Sequence, residues 1–139
     1  MYKTYLYAHV IWAIRNKETH MSKPIRVVLY AHLQKTAEEK GIKIIQVGGA
    51  ADHMHVLIQL HPAQNLAQVI RQLKAESADW LNATQLLPGG FEWEEEYAAY
   101  SVSPSAVKQV TDYLDRQEEY HKTKSLEAEL EVFERVQNG

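Results

Sequence analysis

The chain has 139 residues, 45% hydrophobic and 24% charged, a composition that supports an ordinary globular core in one domain, residues 1–139. It has no cysteine, which excludes a disulfide framework and a thiolate metal site, and no apolar run near the ~20 residues of a membrane span. The net charge of −3 is uneven: eight Lys/Arg against three Asp/Glu in residues 1–50, two against three in 51–85, and five against twelve in 86–139.

Residues 4–14 are rich in aromatic and β-branched side chains and read as a long strand with no signal-like segment ahead of it, so the expected location is a bacterial-type cytoplasm. After a polar loop, Asn16 to His20, apolar residues at Ile25, Val28, Leu29, Leu33 and Ala37 have helical spacing. Lys40-Gly41 is a stop signal for that helix. Residues 42–47 predict a second strand punctuated by Gly48-Gly49, and 53–60 a third that ends before Pro62. Leu66, Val69, Ile70, Leu73, Trp80 and Leu81 trace a second helical stripe. Gly89-Gly90 marks a loop, and Tyr97 to Val102 a short fourth strand. Ser103-Pro104 is a helix start, with serine as cap and proline in the first turn, leading into a helix whose core contacts are Val107, Val110 and Leu114. A helical tail follows over 126–136. The first six elements match the split β-α-β order of ferredoxin-like α+β domains.

The third strand sorts by parity. Met54, Val56, Ile58 and Leu60 form an apolar face that packs under the helices, while His53, His55, Leu57 and Gln59 project from the face away from that core. Two neutral imidazoles on one face can chelate a first-row divalent ion. Taken alone, such a pair is a weak signal and is more often explained by packing. Among the other histidines, His9 reads as half-buried and structural, His61 as a strand-end residue, and His121 as solvent-facing or substrate-facing; His20 and His32 carry no signal.

Tyr113 and Gln117, four apart on the last helix, share a face. A phenol has a pKa of about 10 and attacks phosphorus poorly unless an electrophile helps. Two imidazoles and an amide oxygen leave a divalent ion its full charge and open positions for phosphate oxygens. Together His53, His55, Gln117 and Tyr113 form an inventory for metal-assisted attack on a phosphodiester. Singly, the tyrosine reads as core and the glutamine as a solvated helix residue, and Tyr120 is a rival nucleophile.

These residues resemble the single-tyrosine transposases of the HUH endonuclease superfamily, which include insertion-sequence and REP-associated tyrosine transposases. The likeness lies in Asp52-His53-Met54-His55 and in Tyr113 with Gln117. It continues through Tyr7-Ala8-His9-Val10-Ile11-Trp12, Val69-Ile70-Arg71-Gln72-Leu73-Lys74, Phe91-Glu92-Trp93 and Tyr97-Ala98-Ala99-Tyr100-Ser101-Val102-Ser103, covering about residues 4–121. The resemblance implies a ferredoxin-like (RRM-like) antiparallel sheet with helices packed on it. It implies cleavage and rejoining of single-stranded DNA at hairpins, without a nucleotide cofactor, through a 5′-phosphotyrosine on Tyr113. Mg²⁺ or Mn²⁺ would sit on His53, His55 and Gln117. The short chain is similar to the compact members that act as homodimers, and the aromatic first strand suggests a pairing edge.

Candidate DNA-backbone contacts are Lys3, Arg15, Lys17, Lys23, Arg26, Arg71 and Lys74, each of which also reads as a solvated surface cation. One departure stands out: members are typically basic, whereas this chain is acidic and places Asp112 and Asp115 beside Tyr113. Two rival readings keep parts of the site: a metal phosphodiesterase that uses water, and a domesticated hairpin-DNA-binding protein that does not cut.

Overall fold

The computed structural model describes residues 3–16, 19–87, 89–116 and Leu130. Strand β1 (Leu6–Ala13) is followed by α1 (Lys23–Glu39), β2 (Lys43–Gly49), β3 (His53–Leu60), α2 (Leu66–Thr84), β4 (Ala98–Val102) and α3 (Val107–Asp115). All strand pairs are antiparallel and the sheet order is β2-β3-β1-β4, the ferredoxin-like arrangement that the element order predicts. The expected tail over 126–136 lies outside the described residues except for Leu130.

Register follows the alternation in the sequence. Along β1 and β3 the pairs run from Leu6 opposite Leu60 to Ala13 opposite His53. Ala8, Val10 and Trp12 therefore share a face with Ile58, Val56 and Met54. That face packs on Leu29 and Leu33 of α1 and Val69, Ile70, Leu73 and Leu81 of α2, all buried. At ~1.5–3 kcal/mol for each fully buried aliphatic side chain, this layer is the main source of stability.

Local signals set the helix ends. Lys40-Gly41 does stop α1: Gly41 takes a positive φ of 74°, donates to Glu38 O at 3.1 Å, and lets Ile42 donate to Ala37 O at 2.8 Å. That bond pattern closes a Schellman cap, which favours glycine because a side chain strains the left-handed conformation. The Asn65 side chain caps α2 by accepting from Gln68 N at 3.2 Å.

Three expectations change. The Gly48-Gly49 pair is not punctuation but the end of β2, which runs two residues further than the sequence pattern indicates. Ser103 makes no side-chain cap bond; a single 3₁₀ turn, Pro104–Ala106, precedes α3, and the Ser103 hydroxyl pairs with Ser105 Oγ at 3.2 Å. β1 is interior, hydrogen-bonded to β3 on one side and β4 on the other, so its aromatic side chains mark no pairing edge; the outer strands are β2 and β4.

The acidic segment after α2 is tied down by the residues between its glutamates. Phe91 and Trp93 are buried, stack edge to face at 4.6 Å, and pack Trp93 against Trp12 at 5.9 Å. Asn82 holds Phe91 by both backbone groups, at 2.7 and 3.0 Å, and Trp93 Nε1 donates to Ser77 Oγ at 2.9 Å. Inward aromatics and outward glutamates make this a strap across α2 and the end of β1.

Candidate active site

The candidate site residues lie on the second face of the sheet. His53 and His55 alternate with Met54 and Val56 along β3 and lie on one face, as parity requires. Exposure differs from expectation: both rings have 0% exposure, because this face is covered too. Helix α3 lies across it and buries Leu114. Gly48, opposite His55 in the β2–β3 ladder, makes that approach possible. A Cβ added at Gly48 would stand 2.5 Å from Leu114 O and 3.1 Å from Leu114 C. The Gln46 side chain donates to the Asp115 carboxylate at the end of the helix.

This docking brings Tyr113 to the histidines. Its half-buried ring lies 6.1 Å from that of His55, centroid to centroid, at an interplanar angle of 68°. The His53 and His55 rings are 5.0 Å apart at 62°. His53 Nδ1 is 2.7 Å from Asp52 Oδ1. An ionised carboxylate only accepts, so Nδ1 carries the proton and the neutral ring presents Nε2 as its lone-pair nitrogen, the form that ligates metals. The donor chemistry of the pair thus fits a divalent first-row ion. Among the described residues no three His, Asp, Glu or Cys side chains form a cluster that holds a metal, and the expected third ligand, Gln117, lies outside them, as does the rival Tyr120.

His9 is the residue that sequence reasoning undervalued. It is 1% exposed rather than half-buried, its Nε2 lies 2.8 Å from His55 Nδ1, and the two rings stack at 5.0 Å and 29°. The available signal was its odd position in β1, which matches the parity of the histidine face once the register is known.

The candidate DNA contacts separate into two groups. Lys3, Lys23 and Arg71 are exposed, and Arg15 is exposed beside Glu92 at 3.4 Å. Lys23 lines a hollow at the β2 edge of the sheet, between the start of α1 and Gly48 and Leu114. Arg26 is not a surface cation: it is buried, and its guanidinium donates to Met21 O at 2.7 Å. Lys74 holds the acidic strap, donating to Glu94 O at 2.6 Å and Glu95 O at 3.0 Å. Partial burial pulls its pKa below the ordinary lysine value, against the opposing pull of Glu95 and Glu94. Arg15, Arg71 and Lys74 share a 760 Å³ groove with Glu92, Glu94 and Glu95, so its charge is mixed rather than basic. Lys17 lies outside the described residues. Among the described residues no helix is long and apolar enough to cross a membrane.

Known proteins share this fold. A crystallised protein from Deinococcus radiodurans R1, described as a transposase, superposes with a TM-score of 0.66 at 23% identity over 84% of this chain and 93% of its own. A REP-associated tyrosine transposase, solved bound to a REP hairpin, gives 0.62 at 15% identity over 87% of this chain and 73% of its own. In sequence, the ISDra2 transposase TnpA of Deinococcus radiodurans is 25% identical over 114 residues, which are 78% of this chain and 81% of that protein. The model of the IS200-like transposases matches residues 2–117, a span that contains the histidine pair, the tyrosine helix and the whole sheet. The chain belongs to the IS200-like transposase family, single-tyrosine enzymes of the HUH superfamily.

Proposed function

We propose that this transposase cleaves and rejoins single-stranded DNA at hairpin-flanked ends, with Tyr113 as nucleophile. The observation that carries the reading is the approach of Tyr113 to His55, at 6.1 Å between rings, by a helix that the sequence places far from β3. The phenolic oxygen of Tyr113 forms a bond to phosphorus, the bond from phosphorus to the 3′ oxygen breaks, and that oxygen departs with a proton as a 3′-hydroxyl. The product is a 5′-phosphotyrosine that the freed hydroxyl of another end can attack in turn, so no nucleotide cofactor is required. His53, His55 and Gln117 would hold Mg²⁺ or Mn²⁺, which when bound neutralises charge that grows on the phosphate oxygens. Asp52 fixes the ring of His53, and Leu114 on Gly48 fixes the height of α3 and with it the position of the phenol.

The exposed cations Lys3, Arg15, Lys23 and Arg71 are proposed to contact the DNA backbone. The chain is read as one catalytic domain that works as a homodimer in the cytoplasm; a monomer in sedimentation at micromolar concentration would refute the dimer. The nuclease reading is tested with labelled single-stranded DNA from the flanks of its own gene, with Mg²⁺ or Mn²⁺. A covalent adduct that survives denaturation and maps to Tyr113 is expected. Cleavage with no adduct would make water the nucleophile, and hairpin binding without cleavage would make the chain a DNA-binding protein only.

A further inference from the structure

His9 occupies the middle of an interior strand, where an aliphatic side chain would serve packing better and a buried imidazole costs desolvation unless hydrogen-bonded. Its ring is 1% exposed and meets His55 through Nε2 and Nδ1 at 2.8 Å. Between two neutral rings, one proton occupies that contact. Either His9 donates from Nε2, which leaves His55 with its proton on Nε2, or His55 donates from Nδ1 and keeps Nε2 as a lone pair. A neutral histidine in water favours the proton on Nε2, so the second form needs an acceptor at Nδ1 to hold it.

We propose that His9 is a positioning residue that accepts from His55 Nδ1–H and thereby holds His55 Nε2 in the lone-pair form that binds a divalent cation. Asp52 does the same for His53 at 2.7 Å, so the two rings of the pair are set alike by two different acceptors. The choice of acceptor follows from burial. Asp52 has a side chain 55% exposed and keeps its charge in contact with water. At the His9 position a carboxylate would be a buried charge, whereas an imidazole accepts the same hydrogen bond while neutral. The inference rests on the reading of His53 and His55 as metal ligands.

Long-range ¹H–¹⁵N NMR of the metal-free protein at about pH 8, above the ordinary histidine pKa of ~6.5, reads each tautomer directly. The native protein should show His55 protonated on Nδ1, and His9→Phe, which keeps a stacked ring but no acceptor, should show it on Nε2. Mn²⁺ affinity should fall ~10–100-fold in His9→Phe, the range found when the outer partner of a ligating histidine is lost. It should recover in His9→Gln, whose side-chain oxygen stands near the place of Nε2. A native His55 protonated on Nε2 overturns the proposal, as does a His9→Phe protein that loses thermal stability but keeps both the tautomer and the affinity. If His9→Phe does not fold, the native spectrum decides alone. A native protein that takes up no Mn²⁺ refutes the metal reading, while the tautomer, measured without metal, still decides the role of His9.

Discussion

Replacing Gly48 with alanine tests whether the position of α3 limits the chemistry. The added Cβ meets Leu114 O at 2.5 Å, and ordinary contact begins at 3.4 Å, so about 0.9 Å must be recovered. The atom it meets is backbone, which cannot rotate away like a side-chain tip; the helix itself has to lift. Overpacking of this kind costs ~1–3 kcal/mol, partly offset by ~0.5–1 kcal/mol because alanine has less chain entropy to lose in a strand. The net cost, up to ~2.5 kcal/mol, should lower the melting temperature by up to roughly 8 °C. Activity should suffer far more, since a displacement of ~1 Å at a reacting group costs on the order of 10²-fold. Gly41→Ala is the control: its φ of 74° strains alanine while no atom lies within 4 Å, so it loses similar stability at the far end of α1 with adduct formation unchanged. Adduct rates are followed with labelled single-stranded DNA on denaturing gels beside thermal melts of each variant. If Gly48→Ala melts lower yet forms adduct at the native rate, the height of α3 does not set the reaction and the role given to Gly48 is wrong.

Tyr113→Phe removes one hydroxyl and should keep fold and DNA affinity while losing all covalent adduct; Tyr120→Phe should be nearly silent, and the reverse outcome would transfer the nucleophile to Tyr120. His53→Ala or His55→Ala should abolish cleavage, whereas Gln117→Ala should only weaken it, because water replaces an amide oxygen more readily than an imidazole; full cleavage in either histidine variant would make the pair structural. Glu76 bridges α1 and α2, and its hydrogen bond from Lys40, more than that from His32, holds its carboxyl below the ordinary value of 4.5 despite some burial. A depressed carboxyl stabilises the fold above its unfolded pKa and loses that contribution as pH falls through its folded pKa. Glu76→Gln should therefore cost up to ~1 kcal/mol in a denaturant melt at pH 7, the usual limit for a partly exposed pair, with the gap to the native protein closing in acid; a gap that persists in acid would refute the ion-pair account.

Where residues answer to their own neighbours, the sequence was readable. Parity along 53–60 placed both histidines on one face, apolar spacing located α1 and α2, and Lys40-Gly41 ended the first helix where it does end. Burial of that histidine face was not readable, because its cover comes from α3, which the chain reaches only after three further elements. Gly48 looked like punctuation for the same reason: its need for no side chain arises from Leu114, not from a turn. His9 and Arg26 show the limit for polar residues. A histidine in an aromatic strand and an arginine on a helix have the same local appearance whether they face water or end on His55 Nδ1 and Met21 O. Only the register decides the first and only the fold of α1 back onto the segment that precedes it decides the second.

The complete enclosure of His53 and His55 also makes the site a reporter of its own breathing. An acylating reagent that modifies imidazole has to arrive from solvent, so these two rings react only during the fraction of time the surrounding chain stands aside. If that opening costs ~3 kcal/mol, they are reachable for less than about one part in a hundred of the time, whereas His20 and His61, both exposed, are open to the reagent throughout. The ratio of the two rates within one molecule then gives the fraction of time for which the histidine pair stands open to solvent.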